Sequence, residues 1–332
     1  MKEYDLAQWL LLFYIFSFCG WIFESSYVSI LNKKFVNRGF LIGPWIPIYG
    51  FGGVIMLFVA IPFYANPLLV FLVGLAAATT LEYVTGVVME KIFAIKYWDY
   101  TGKAFASKNG YICLESSLCW GVFTLILTYA ASRWIDDFIY LPGRAMLLGI
   151  DAVLAALFTT DVYLSAKTAL HIKNLSQLVA KANSEMGEIL DKMPEDLVDI
   201  RKAFNAARSD GHITKEEWDD LLGKALTAAG DGLSRGRAAI SGKLESIESS
   251  ISEARKTADK RRDVRAAFRD DAIAEAAKRF EAALARRQKT FFNLDALTRR
   301  ALNGNPSASS RLEGFDQIKK LAGEKKDKKA GK

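Results

Sequence analysis

Five long apolar runs occupy most of the first 170 residues, and they decide what this chain can become. They cover approximately 6–31, 45–64, 67–94, 112–132 and 145–168. A membrane-crossing helix needs about 20 mainly apolar residues, because the hydrocarbon core is about 30 Å thick and each residue rises about 1.5 Å. Each run meets that length. The expected fold is all-α: a polytopic membrane bundle of about five transmembrane helices with a cytoplasmic helical C-terminal region. The start, MKEYD, is not a basic leader, and the run Leu6 to Leu31 is too long for a signal-peptide core. It reads as a retained helix.

A mean hydropathy of +0.10 beside 24% charged residues is the average of two unlike parts. Residues 1–170 carry 11 Lys/Arg and 11 Asp/Glu, so the whole net charge of +7 lies beyond them. Loop charges orient the bundle. The first loop holds Lys33, Lys34 and Arg38, and the third holds Lys91, Lys96, Lys103 and Lys108, whereas the second is uncharged. Positive charge is retained inside. These loops and the C-terminal region are expected to be cytoplasmic, with the N-terminus outside. Trp9, Trp45, Tyr64, Tyr97, Trp98, Trp134 and Tyr140 fall near proposed helix ends, where amphipathic rings prefer the interface.

Three regions follow: a transmembrane domain at 1–170, a charged helical region at 171–305, and a short helix with a basic disordered tail at 306–332. Leu175, Leu178, Ala182, Met186, Ile189 and Met193 recur at helical spacing, as a continuation of the fifth span. Pro194 breaks it, and helices are expected at about 195–208 and 214–229. Residues 236–302 read as long surface helices, in a hairpin or coiled coil. A short amphipathic helix is expected at 310–322. SDGHITKEEW imitates a calcium loop around Gly211 and Glu217, but Ala206 and Arg208 would stand where oxygen ligands are needed. A capping box from Thr214 to Glu217 fits better. Cys19, Cys113 and Cys119 lack metal or redox spacing and read as small buried hydrophobes. With only two histidines, no metal site and no cofactor is expected. The basic tail has no interleaved aromatics, so no nucleic acid is expected.

Acidic side chains in a membrane span are expensive, about 2.5–3.5 kcal/mol at mid-span on insertion scales. Glu82 lies near the middle of the third run, in a stripe with Thr79, Gly86 and Glu90. Ser17, Gly20 and Glu24 make a similar stripe in the first. Glu115 begins the fourth, and Asp151 and Asp161 lie in the fifth. Such groups face a bundle interior, as a polar pathway or as structural hydrogen bonds. GFLIGPWIPIYGFGG interrupts the second run, and broken helices line sites in many transporters.

Four blocks complete the pattern: GWIFE (20–24), NRGFLIGPWIPIYGFGG (37–53), EYVTGVVMEKIFAIKYWDY (82–100) and NGYICLESSLCWG (109–121). Together they resemble the bacterial family labelled Putative ABC-transporter type IV, over roughly residues 8–165. FFNLDALTRRAL resembles a C-terminal element of the same family. The resemblance implies a multi-pass permease of the bacterial plasma membrane with a separate ATPase. No catalytic residue comes with it.

The expected function is a transporter permease whose polar, acidic intramembrane cavity moves an ion or small polar solute. The candidate pathway residues are Glu24, Arg38, Pro44, Pro47, Tyr49, Gly50, Glu82, Gly86, Glu90, Trp98, Asp99 and Glu115. The chain has no GxxxxGK[ST] phosphate loop, so ATP use would need a partner subunit. A proton-coupled carrier would need none and could titrate Glu82. The alternative is a membrane-anchored scaffold whose cytoplasmic helices bind a soluble partner or a second copy. No Ser/Lys pair or HExxH suggests an intramembrane enzyme, and none is expected.

Overall fold

The computed structural model describes residues 4–192, 198–209, 274–290 and 294–324, with 217, 220, 221 and 224 besides. Among the described residues there is no strand, only an isolated β-bridge between Lys96 and Ser309. The chain divides into two compact units, Met1–Ser176 with Leu294–Lys332, and Gln177–Asn293. Apart from those single positions, the calcium-loop lookalike and the expected helix at 214–229 lie outside the described residues, as does most of 236–302.

In the first unit, α1 spans Leu6–Asn32 and starts at a capping box. The Asp5 carboxylate accepts the Gln8 N–H at 3.0 Å, and the Gln8 side chain accepts the Asp5 N–H at 2.9 Å. Two of the helix's orphan donors are thereby satisfied. Pro44 and Pro47 delay the second helix, because a proline can open a helix but not continue one. Consequently α2 begins only at Pro47, runs to Ala60, and extends through a 3₁₀ turn, Ile61–Phe63. α3 spans Pro67–Phe93 and is capped by Asn66. α4, Leu114–Leu125, passes through π-helical turns at Ile126–Ala131 into α5, Ser132–Ile139. α6 runs unbroken from Arg144 to Lys192.

Among the described residues, four helices are long and apolar enough to cross a membrane: Leu6–Asn32, Pro67–Phe93, Leu114–Ile139 and Arg144–Lys192. The expected second span is the shorter apolar helix Pro47–Phe63.

The helices run between two ends of a bundle. At one end Tyr4 bonds Asp136 at 2.5 Å, Arg144 pairs with Asp5, and the Tyr129 hydroxyl bonds the Tyr64 carbonyl at 2.6 Å. The other end gathers loops 33–46 and 94–113 and the segment 294–324. α1 and α2 cross at close range through glycines. A Cβ on Gly20 would lie 2.3 Å from the Tyr49 ring, and one on Gly50 would lie 2.1 Å from Ser17 Oγ. Only glycine admits that approach. Of the three cysteines, Cys113 is buried as expected, but Cys19 and Cys119 are exposed on the outside of the bundle. An apolar thiol is equally at ease against lipid, so apolar surroundings in sequence did not require burial.

The segment 294–324 belongs to this unit. Asp295 caps the helix Ala296–Gly304 by accepting the Thr298 N–H at 2.7 Å, and a second helix covers Gly314–Glu324, close to the one expected at 310–322.

The second unit has its own small core. The far part of α6 contributes Met186 and Leu190, the helix Val198–Ser209 contributes Ala203 and Phe204, and residues 274–290 contribute Phe280, Ala283 and Leu284. The Phe204 and Phe280 rings meet at 4.4 Å. The expected stripe on α6 is present in outline. Leu175, Ala182 and Met186 are buried, but Leu178 is 55% exposed and Val179 takes its place.

Candidate functional site

The polar stripe of α3 turns Glu82 into the interior, where it is 4% exposed. Three neutral donors hold its carboxylate. Ser116 Oγ, one turn into α4, donates at 2.9 Å. The Tyr100 hydroxyl donates at 3.0 Å and Trp120 Nε1 at 3.3 Å. Ser116 and Trp120 lie four apart and so share a face of α4. Tyr100 reaches inward from the loop 94–113, which is braced by its own bonds. The Tyr100 N–H donates to the Gly110 carbonyl at 2.9 Å, and Trp98 Nε1 donates to the Tyr111 carbonyl at 2.9 Å. Gly110 sits at φ +68, and a Cβ there would lie 2.1 Å from the Asp99 carboxylate. Burial, and then the Glu82 charge, push the Tyr100 phenol well above its ordinary value.

Glu24 continues the cluster from α1. Its carboxylate accepts Arg38 Nε at 3.1 Å and the Tyr49 hydroxyl at 3.0 Å. The Tyr49 ring packs on Trp120 at 5.6 Å between centroids, and its hydroxyl lies within electrostatic reach of Tyr100 and Glu82. Arg38, Glu24, Tyr49, Trp120, Glu82 and Tyr100 thus form one contiguous polar cluster, drawn from α1, α2, α3, α4 and two loops. Pro47 places Tyr49 in the first turn of α2. Gly50 admits α1, and Gly86 admits the Tyr111 ring, 2.8 Å from where a Cβ would be.

The other candidates lie elsewhere. Glu90 is held by the Tyr111 hydroxyl and by Arg311 at 2.8 Å. Burial first, then the Glu90 carboxylate, push the Tyr111 phenol up to about 12. Glu115 pairs with Lys103 at 3.2 Å in an exposed position, because helix entry on α4 turns it away from Glu82. Asp99 binds Thr101 Oγ1 at 2.5 Å and Lys96 at 3.7 Å. Burial alone would raise its acid strength's midpoint, but Thr101 and Lys96 outweigh it and hold the carboxyl below its ordinary range. Pro44 stands in the irregular loop before α2.

That loop is secured residue by residue. A buried backbone without secondary structure must find its partners in protein. The Asp161 carboxylate of α6 accepts the Ile42 N–H at 2.9 Å and the Gly43 N–H at 2.7 Å. Trp21 Nε1 donates to Asn37 Oδ1 at 2.7 Å, and Ile46 N–H donates to the Ser17 carbonyl at 3.0 Å. The C-terminal segment supplies the rest. Arg300 donates to the Ile42 carbonyl, and Asn305 Nδ2 donates to the Gly39 carbonyl at 3.0 Å. Arg38 Nη2 donates to Ser307 Oγ at 2.9 Å. Ser309 and Lys96 exchange two backbone bonds, at 2.8 and 3.0 Å, and Ser310 Oγ bonds the Ala94 carbonyl at 2.5 Å. Burial holds the Arg300 guanidinium below its ordinary value, against the opposing attraction of Asp161.

Reasoning from sequence found Glu24, Glu82, Arg38 and Tyr49 but missed Tyr100, Ser116 and Trp120, the donors to Glu82. Their signal was present, since Tyr100, Ser116 and Trp120 stand inside the two blocks YWDY and NGYICLESSLCWG. Asp161 was marked as an in-span acid, and its structural hydrogen bonds are one of the two roles expected of it, whereas the docking of 300–311 had no local signal. Residues 11–166 match the family model Putative ABC-transporter type IV. The match takes in the whole Glu24–Glu82 cluster and stops short of the C-terminal segment that closes over it. Neither a curated protein nor a solved structure matches the chain.

Proposed function

We propose that this protein is the membrane-embedded component of a bacterial plasma-membrane transporter, and that the Glu24–Tyr49–Glu82 cluster carries a proton or small cation through it. In this reading the chain crosses the membrane five times. The Asp5 end is outside, and loops 33–46 and 94–113 and the C-terminal segment are cytoplasmic. Support for the short second crossing comes from connectivity. The ends of α1 and α3 meet the same segment 305–311, through Arg38 and Glu90, so α2 must return the chain between them.

One observation carries the reading. Glu82 is buried and is met, among the described residues, by hydroxyl and indole donors and by no lysine or arginine. A carboxyl with such partners can change protonation without stranding a buried counter-charge. The match to an ABC-type family favours a separate ATPase docking on the cytoplasmic side, as the energy source for solute movement.

The test is proton flux in proteoliposomes loaded with a pH-sensitive dye. The wild-type protein should dissipate an imposed pH gradient, and Glu82→Gln should not, at equal insertion. Equal flux in both would sink the role of Glu82. A wild-type protein that moves no proton until a co-purifying ATPase is added would favour the partnered form.

A further inference from the structure

Asp151 stands apart from the other acids of the membrane unit. Glu24, Glu82, Glu90 and Asp161 each accept hydrogen bonds. Asp151 is 5% exposed, and neither of its carboxylate oxygens has a partner among the described residues. It lies on the face of α6 that packs against α1, where Leu147, Ile150 and Leu154 meet Leu11, Leu12, Ile15 and Phe16. An ionised carboxylate in such a place is costly, and the group neutralises instead.

Among the described residues, no cation is placed to offset the charge. Arg144, two turns away on the same helix, is engaged by Asp5. From α1 the titratable group that faces Asp151 is Tyr14, with Asp5 at the helix start. On α5, Asp136 at the same end is bonded to Tyr4. From α2, which reaches this core through Val54, the only titratable side chain is Tyr49, bonded to Glu24 at the other end. Among these described groups, each charge is therefore an acid or a paired base.

We infer that Asp151 is a proton-binding site of the membrane unit, exchanging its proton with the bundle end that carries Asp5 and Arg144. The assignment of the end follows from depth. Seven residues separate Asp151 from Arg144, about 10 Å along a helix, whereas the Glu24–Glu82 cluster sits toward the opposite end. A carboxyl kept for structure would be bonded, as Asp161 is, since an unbonded buried polar group destabilises the fold. The inference does not rest on the transport reading, because it concerns a different group at a different end.

A fluorescent hydrophobic carbodiimide tests it on the full-length protein in detergent. Such reagents react with protonated carboxyls: the acid adds its proton and oxygen across the N=C=N unit, and the adduct rearranges to a stable N-acylurea. Peptide mass spectrometry should place the adduct on Asp151 at pH 7. Labelling should fall about tenfold per pH unit above the titration midpoint, and Asp151→Asn should lose it while remaining folded. The wild-type pH profile of the Asp151 peptide stands even if that variant fails to fold. Absence of the adduct at pH 6, with the reagent shown to label a control membrane carboxyl, would overturn the inference. Protection by sodium or potassium at fixed pH would overturn it too, by making the ligand a metal cation. The Glu82→Gln flux result changes neither outcome.

Discussion

Arg38 donates to the Asn305 side chain at 3.2 Å, across 267 positions of sequence, while its Nε holds Glu24. One guanidinium thus ties the polar cluster inside the membrane unit to the segment that closes over its end. Asn305 also donates to the Gly39 carbonyl. Asn305→Ala should leave that carbonyl and part of Arg38 unserved, at a cost of about 1–3 kcal/mol. Amide exchange in residues 33–46 should rise accordingly, with exchange in α3 unchanged.

Gly304 approaches the loop so closely that a Cβ would lie 2.4 Å from the Asn37 carbonyl oxygen. Backbone cannot give way as a side chain can. Gly304→Ala should displace 294–324 and mimic Asn305→Ala in the exchange assay, although alanine is the better helix former. Unaltered exchange would show that the contact is slack.

The crossing of α1 and α2 offers a stability test with an internal control. Gly20→Ala overfills the contact with Tyr49 and should cost about 1–3 kcal/mol. Gly149, on α6, has nothing within 4 Å of a built Cβ. Gly149→Ala should therefore be neutral or gain up to about 1 kcal/mol from helix propensity. Thermal unfolding of both variants in the same detergent compares them directly.

Trp120→Phe keeps the ring that packs on Tyr49 and removes the N–H that reaches Glu82. The lost bond should cost about 0.5–1.5 kcal/mol. In the flux assay the variant should shift the pH dependence without abolishing transport.

Tyr111 gives a prediction at alkaline pH. Its phenol is raised from 10.0 to about 12 in the folded protein by burial and by Glu90. A group raised on folding stabilises fully below its unfolded value and loses that contribution as pH climbs through the folded one. The packing of Tyr111 against Glu90 should therefore hold up to pH 10 and weaken between 10 and about 12. Tyrosinate absorbance, as the difference between wild type and Tyr111→Phe, reports the midpoint.

Much of the membrane unit was legible because its physics is local. Apolar runs gave the helices, and the stripe through Thr79, Glu82 and Gly86 gave the buried face of α3. Glu24 could be paired by depth with a base at its own end, Arg38 or Lys91, and Arg38 is the one that holds it. The partners of Glu90 and Glu115 could not, because each depends on where a distant loop arrives. The docking of 294–324 was least visible of all. It is made by Arg300, Asn305, Ser307 and Ser310 bonding to backbone carbonyls and single side chains, and such contacts leave no periodicity or charge run to read.

The chain leaves the membrane unit at Gln177 and is fastened to it again from Leu294 onward. Topologically, everything between is a handle with both roots fixed. The entropy of closing such a loop grows only with the logarithm of its length, about 0.6 kcal/mol for each doubling. The membrane unit is therefore nearly indifferent to how much chain the handle contains. A domain could be exchanged or enlarged there while Arg38, Asn305 and the cluster behind them kept their places.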